Sequence, residues 1–207
     1  MDEKKKIKVN VYIDGFNFYY GLKNIKWKKF YWLDIVSFFE LFMKPNQELN
    51  KVYYFSAKPH NQGQKNRQGV FFKANQRNPK FQLVLGKFLE KKVTFGGKKY
   101  STYEEKQTDV NIAVTLLRCV FTNECDSSIV VTADSDLSPA IKLAKELNPK
   151  HMIFGYMPPE RTSVTLTKCC NAILHLKSYE NRFKKCILDD SLTLEDGTVL
   201  TRPVNWI

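Results

Sequence analysis

Apolar and polar residues repeat along the chain with two different periods, which follow one another. Short runs that alternate every second residue, or that are wholly apolar, predict β-strands at residues 8–13, 51–57, 81–88, 128–132, 150–156 and 172–176. Apolar positions three or four residues apart predict helices at residues 16–25, 33–43, 60–76, 104–122 and 137–147. One side of the 104–122 helix carries Val110, Val114, Leu117 and Phe121.

Strands that alternate with helices predict an α/β sandwich with a mostly parallel central sheet. Residues 90–103 are expected to form a basic hairpin that turns at Gly96 and Gly97. We expect one domain over residues 1–207, with residues from about 181 to 207 forming an irregular strap. The sequence has no apolar run near the roughly 18 residues of a membrane span, and the run at 9–13 is short for a signal peptide. We therefore expect a cytoplasmic protein.

Acidic side chains follow two of the predicted strands at the point where each strand ends. Asp14 comes directly after the first strand, and Asp134 and Asp136 follow the fourth. Because the carboxyl ends of parallel strands meet at one edge of a sheet, these side chains should converge. Asp109 would join them if the 104–122 helix begins near the same edge. Such a cluster is repulsive without a cation, and oxygen ligands suit Mg²⁺ or Mn²⁺ rather than zinc.

Each of these residues also has an ordinary structural interpretation. An aspartate after a strand often caps a helix or forms a turn, so Asp136 could cap the 137–147 helix and Asp14 could form a turn with Gly15. Asn17 could hydrogen-bond a metal-ligating carboxylate or a scissile phosphate, or it could serve as a local cap. Acids at the ends of two strands and at the start of a long helix together favour the metal site.

Positive charge is concentrated in the first half of the chain. The net charge is +12, and residues 1–108 carry 22 basic and 9 acidic residues, whereas residues 109–207 carry 11 and 12. A basic surface attracts polyanions, because neutralising phosphates releases their counterions. The first half is therefore expected to contact nucleic acid, although a merely solvated lysine-rich surface would look the same in the sequence.

Three segments together resemble the motifs of a known family. They read VYIDGFNFYY at residues 11–20, EKQTDV at 105–110 and VVTADSDL at 130–137. In this order they are similar to the motifs of NYN domain proteins, the LabA-like branch of the PIN-like nuclease superfamily. The terminal segment RPVNW at 202–206 resembles the tail of bacterial members. The likeness spans nearly the whole chain.

The resemblance implies a PIN-like three-layer α/β/α sandwich, a bound Mg²⁺ or Mn²⁺ and hydrolysis of RNA phosphodiester bonds. We place Asn17 in the catalytic site beside the acids. The resemblance assigns metal binding and catalysis to Asp14, Asp109, Asp134 and Asp136.

Substrate contacts are expected from the basic half of the chain. The acid-free segment 58–80 could track the backbone of a single-stranded RNA, and aromatic residues of the first motif could stack on unpaired bases. We expect substrate-binding roles for Lys58, Arg67, Lys73, Arg77, Tyr19 and Tyr20. The segment 87–99 adds Lys87, Lys91, Lys92, Lys98 and Lys99. The alternative is that the lysines are a solvated face and the tyrosines half-buried helix residues.

Two other functions stay open. Members of the family often carry a further acid where this chain has Asn111 and Thr115, and a glycine where it has Ala133, which is consistent with a weak or inactive enzyme that binds RNA. A phosphatase-like hydrolase could use Asp14 as a nucleophile. It is ranked last, because such enzymes commonly have an aspartate two residues later and this chain has Phe16.

Overall fold

Strands and helices alternate along the chain in the predicted order. The structure, a computed structural model, describes residues 5–95 and 98–206. The strands are β1 (Ile7–Asp14), β2 (Gln47–Ala57), β3 (Phe81–Phe95), β4 (Lys98–Lys106), β5 (Ser127–Val131), β6 (Met152–Met157), β7 (Ala172–His175), β8 (Ser191–Thr193) and β9 (Val199–Thr201). The helices are α1 (Gly15–Asn24), α2 (Ile35–Glu40), α3 (Gln62–Asn75), α4 (Thr108–Phe121), α5 (Ser138–Leu147), α6 (Val164–Cys169) and α7 (Glu180–Lys185). Short 3-10 turns occupy Lys28–Tyr31, Ser135–Leu137, Leu176–Tyr179 and Val204–Trp206.

The central sheet is almost wholly parallel, as predicted. Within the described residues its strand order is β4-β3-β2-β1-β5-β6-β7, and only the edge strand β4 runs antiparallel, against β3. The chain leaves β1 in one direction to reach β2 and later returns to β1's other side with β5. A crevice therefore forms beyond the carboxyl end of β1, where ligands bind in sheets of this type.

Helices cover both faces of the sheet and give the fold three layers. On one face α1, α2, α3 and α7 bury large aromatic side chains, including Trp32, Phe38 and Phe183. On the other face α4, α5 and α6 bury Ile112 and Ile141 against the sheet. Both faces of the inner strands are thus covered, which explains why every residue of β5 is buried.

The predicted start of the 104–122 helix is wrong. Residues 104–106 continue β4, which pairs with β3 out to the partners Lys87 and Lys106, and α4 begins only at Thr108. Gln107 makes the change of direction with a left-handed backbone, at φ 79°. Such a conformation is uncommon outside glycine and is not readable from helical periodicity. The hairpin of β3 and β4 is as expected, although its predicted turn at Gly96 and Gly97 lies outside the described residues.

Three of the four residues of the apolar stripe singled out on α4 face solvent, and the fourth, Leu117, is half-buried against the core. Val110, Val114 and Phe121 are exposed, whereas Ile112 and Leu116 on the opposite side are buried. Both sides of α4 are apolar, so periodicity alone predicts an amphipathic helix without indicating which side packs on the sheet.

The segment after α7 packs on the aromatic face and contains the short hairpin of β8 and β9, where the sequence predicted only irregular structure. The indole Nε1 of Trp32 donates a hydrogen bond of 2.8 Å to the carbonyl of Asp189. Leu192 and Leu200, one on each strand of the hairpin, are buried in the core. Near the end of the chain, the ring of Trp206 lies 5.8 Å from that of Tyr31, centroid to centroid. In the described part of the chain, no helix is both long and apolar enough to span a membrane.

We expect a buried histidine to make folding pH-dependent. His151 is buried and shares a 2.8 Å hydrogen bond with Ser128 of β5, and burial lowers its pKa, an effect that nearby Asp126 partly offsets. The unfolded chain therefore binds a proton more readily, so the free energy of unfolding should fall as the pH drops below about 6.5. Urea unfolding between pH 7.5 and 5.5 should show a smaller decrease in His151→Asn than in wild type. The exposed control His175→Asn should keep the wild-type slope, and equal slopes in all three proteins would contradict the prediction.

Candidate metal centre

The Asp14 carboxylate lies at the end of β1 and serves as the N-cap of α1. Its Oδ1 accepts hydrogen bonds from the backbone amides of Phe16 and Asn17, at 3.1 and 3.0 Å. Its Oδ2 accepts from the side-chain amide of Asn17 at 2.8 Å and from the Thr132 hydroxyl at 3.0 Å. Asp14 therefore caps α1 instead of forming the plain turn with Gly15 that was the alternative, and the cap is joined to the end of β5 through Thr132.

Burial and hydrogen bonding act in opposite directions on the pKa of Asp14. Only 4% of the residue is exposed, and burial raises the pKa of its carboxyl group. The hydrogen bonds from Asn17 and Thr132 oppose that rise, and the nearby Asp134 carboxylate adds to it. A carboxylate has about four lone-pair sites, and four donors use them here. A cation bound at this position would therefore share the Asp14 oxygens with these donors.

The end of β5 presents the second acid of the site. The amide of Asp134 donates to the Thr132 hydroxyl at 3.0 Å, and Asp134 Oδ1 accepts from the amide of Asp136 at 2.9 Å. The Thr132 hydroxyl therefore bonds the carboxylate of Asp14 and the backbone amide of Asp134, and it links the two residues. Asn17 adds a further link, because its Oδ1 accepts a 3.4 Å hydrogen bond from the Ala133 amide.

The third acid, Asp109, comes from the first turn of α4. Among the residues that the structure describes, one group of potential metal ligands has oxygens that all lie within 4.8 Å of one another: Asp14, Asp109 and Asp134. The convergence predicted from the strand ends and from the helix start is therefore present for these residues. Asp14 is buried and the other two are half-buried, so the cluster opens toward solvent on one side.

Asp136 stands apart from that group. Its side chain is exposed in the 3-10 turn Ser135–Leu137, and it does not cap the following helix as one interpretation predicted. Asp134 caps the 3-10 turn, whereas the N-cap of α5 is Leu137, which makes no side-chain hydrogen bond. Metal binding by Asp136 stays a prediction.

The donor set fits a hard divalent cation. The three side chains offer only carboxylate oxygens, which are preferred by ions such as Mg²⁺, Mn²⁺ and Ca²⁺. A cation would offset the repulsion between carboxylates whose oxygens lie this close. The hydrogen bonds that Asn17 and Thr132 donate orient the Asp14 carboxylate in the manner that metal sites require. The Asp134 backbone is held beside it, because its amide donates to the same Thr132 hydroxyl.

The sequence matches the NYN domain over residues 8–177, which is most of the chain and includes all three acids of the cluster. The chain belongs to the NYN domain family. The fold and the acidic group at the carboxyl edge of the sheet agree with a PIN-like nuclease fold.

Two known proteins are similar to this chain at low sequence identity. A crystal structure of a Vibrio parahaemolyticus protein of unknown function superposes with a TM-score of 0.59 at 18% identity, over 85% of this chain and 96% of that one. The 6-hydroxy-3-succinoylpyridine 3-monooxygenase HspA of Pseudomonas putida is 24% identical over 69% of this chain. The alignment spans 57% of that relative's length.

The predicted substrate residues of this NYN domain fall into two groups. Lys58 follows the carboxyl end of β2, and Tyr19, Tyr20 and Arg67 line a cavity between α1 and α3 on the same side of the sheet. Lys73 lies 11 residues after the start of α3, about 16 Å along the helix axis, and its charge acts on Asp196 in the terminal hairpin.

Arg77 follows the end of α3. The structure therefore does not bring Lys73 or Arg77 to the carboxylates. The side chains of Lys98 and Lys99 lie outside what the structure describes.

The cavity itself was not predicted. Its lining joins α1 and α3 to Tyr54 in β2 and to Trp206 near the end of the chain. Aromatic residues at these positions read as core residues in the sequence, because nothing local distinguishes a cavity wall from a packed interior. The only signal was the aromatic run at Tyr19 and Tyr20, for which base stacking was one of two interpretations.

Removing the Thr132 hydroxyl should weaken metal binding. Thr132→Val keeps the shape of the side chain but removes the contacts to Asp14 and Asp134, and loss of such an orienting bond typically lowers metal affinity about 10- to 100-fold. Calorimetric titration with Mn²⁺ measures the change. Thr122→Val is the matched control, because it also removes one hydroxyl hydrogen bond, at the far end of α4. Equal Mn²⁺ affinity in wild type and Thr132→Val would contradict the expectation.

Proposed function

We propose that this NYN domain protein is a Mg²⁺- or Mn²⁺-dependent ribonuclease that hydrolyses phosphodiester bonds of single-stranded RNA. The observation that carries the proposal is the group Asp14, Asp109 and Asp134, whose oxygens lie within 4.8 Å of one another at the carboxyl edge of a PIN-like sheet. Each comes from a different part of the chain, so the convergence is a product of the fold.

The protein side chains would hold the cation and orient the attacking water. When bound, a divalent cation lowers the pKa of a coordinated water and offsets the charge that develops on the phosphate. Asp14, Asp109 and Asp134 would hold that cation, with Asn17 keeping Asp14 in place. Asp136 is exposed beside Asp134 and is our candidate for orienting the attacking water.

The basic first half of the chain would supply the contacts to the RNA backbone. Lys58 directly follows the carboxyl end of β2, and Arg67 lines the cavity beside that end, where a strand entering the site would pass. Lysine and arginine contacts to phosphates make binding dependent on salt, so we propose that affinity falls steeply as ionic strength rises.

The monooxygenase among the relatives acts, by its name, on a pyridine derivative, and the likeness is too low and too partial to carry that activity over to this chain. The likeness is 24% in identity and spans 57% of that protein. The alternative we retain is an RNA-binding protein of the same fold with little or no turnover. It is favoured by Asn111 and Thr115, which lie half-buried on α4 where related proteins often carry a further acid.

Neutralising one acid of the cluster should abolish cleavage. We expect Asp14→Asn and Asp134→Asn to lower the rate at least about 100-fold, because a metal contributes several kcal/mol to the transition state and each 1.4 kcal/mol is about tenfold. The assay follows a labelled single-stranded RNA with Mn²⁺. Asp126→Asn is the matched control, since it removes an exposed carboxylate at the opposite end of β5.

The outcomes separate the two functions. Cleavage by wild type and by Asp126→Asn, but not by the cluster variants, supports the ribonuclease. If purified wild-type protein binds RNA but leaves it intact with Mg²⁺ and with Mn²⁺, the non-catalytic alternative is correct.

A further inference from the structure

A cavity of about 180 Å³ lies between α1, α3 and the carboxyl end of β2. A single water molecule needs only about 10–15 Å³, so this space admits a much larger group. Its walls are mostly aromatic. Ring centroids are 5.8 Å apart for Tyr31 and Trp206, 6.4 Å for Phe71 and Trp206, and 5.7 Å for Tyr54 and Phe71. The lining suits a flat ring better than a flexible aliphatic chain.

One wall of the cavity is polar and comes from α3. Arg67 lies close enough to Tyr19 that its positive charge opposes the rise in the pKa of Tyr19 caused by burial. The Gln68 side chain is fixed, because its Nε2 donates to the Ser56 hydroxyl at 3.0 Å and to the Ala57 carbonyl at 3.2 Å. Gln64 also lines the space. A ligand that fits this wall carries hydrogen-bonding atoms on the edge of its ring.

The cavity begins next to the acidic cluster. Gly15 forms part of its wall and directly follows Asp14. The ring of Tyr54 packs so closely on Gly15 that a Cβ there would lie 2.6 Å from Tyr54 Cε1. The Asp14 carboxylate is near enough to add to the rise in the pKa of Tyr54 that burial causes. The cavity wall and the acidic cluster therefore adjoin at Asp14 and Gly15.

We propose that this cavity binds one unpaired base of the RNA strand, next to the phosphate at the acidic cluster. The proposal rests on the proposed function, since it gives that site a subsite for a base. A nucleobase combines the two properties that the walls require, a planar π-face for the aromatic rings and polar edge atoms for α3. Phosphate contacts by lysines alone would not need an aromatic cavity beside the cluster.

The decisive measurement compares two oligomers that differ only in their bases. Wild-type protein in EDTA is titrated with a single-stranded decamer of uridylate or adenylate, and with an abasic ribose-phosphate decamer of equal charge. Tryptophan fluorescence is recorded, and Trp206→Phe identifies the signal from the cavity among the three tryptophans of the chain. We expect the base-containing decamer to bind at least about tenfold more tightly and to change the Trp206 signal, because stacking on aromatic residues favours it.

A pair of variants on α3 tests whether the cavity is responsible. Arg67→Ala and Lys65→Ala each remove one positive charge from α3, but only Arg67 lines the cavity, whereas Lys65 is exposed. Both variants should weaken binding of the abasic decamer to a similar extent. Only Arg67→Ala should also reduce the preference for the base-containing decamer. If both variants prefer the base-containing decamer over the abasic one to the same extent, the base is not bound in this cavity and the proposal is wrong.

The remaining outcomes also decide the matter. Equal affinity for both decamers, or a preference without any change in the Trp206 signal, overturns the proposal. Uridine or adenosine monophosphate that gives the full Trp206 response at similar affinity would show that the cavity serves a free nucleotide rather than a strand. Because EDTA prevents metal-dependent cleavage, the binding test and the ribonuclease assay are independent. A preference for bases in a protein that does not cleave RNA supports the subsite and contradicts the ribonuclease. Cleavage of RNA by a protein with no preference for bases supports the ribonuclease and contradicts the subsite.

Discussion

The hydrogen bonds that hold the Asp14 carboxylate are the contact on which the candidate site depends. A buried carboxylate is unfavourable unless donors replace the water it has lost. Here the donors come from the start of α1 and from Thr132 after β5, so one side chain joins a strand, a helix and a second strand. Bonds to a charged group typically contribute about 1.5–3 kcal/mol each. Asp14 is thus positioned by the fold itself, without a cation.

The register of the parallel strands makes this contact possible. Ile13 of β1 pairs with Val131 of β5, so one residue further along Asp14 and Thr132 lie side by side at the edge of the sheet. A shift of one residue would turn the Asp14 side chain to the other face of the sheet. The apolar residues of β1 and β5 fix this register, because both strands are buried on both faces. Core packing on each side therefore determines where the carboxylates meet.

The sequence was sufficient to predict the parts of the site that follow from strand ends. Asp14 and Asp134 follow strands whose apolar pattern is unmistakable, and parallel topology brings them together. The position of Asp109 was harder to predict from the sequence, because it depends on the left-handed turn at Gln107 that separates β4 from α4. The side of α4 that packs on the sheet could not be predicted for a related reason. Both sides of that helix are apolar, and only tertiary packing determines which side meets the sheet.

Gly15 connects the acidic cluster to the aromatic cavity. A Cβ at this position would lie 2.5 Å from the Phe55 carbonyl oxygen and equally close to the ring of Tyr54, so only glycine allows α1 to begin this near β2. That close approach lets Asp14 cap the helix on one side while Tyr54 closes the cavity on the other. A strand bound here would meet the carboxylates and the aromatic walls within the span of two residues. The Asp14–Gly15 pair therefore joins the acidic cluster to the cavity wall, and in the function we propose it would join the site of cleavage to the subsite for a base.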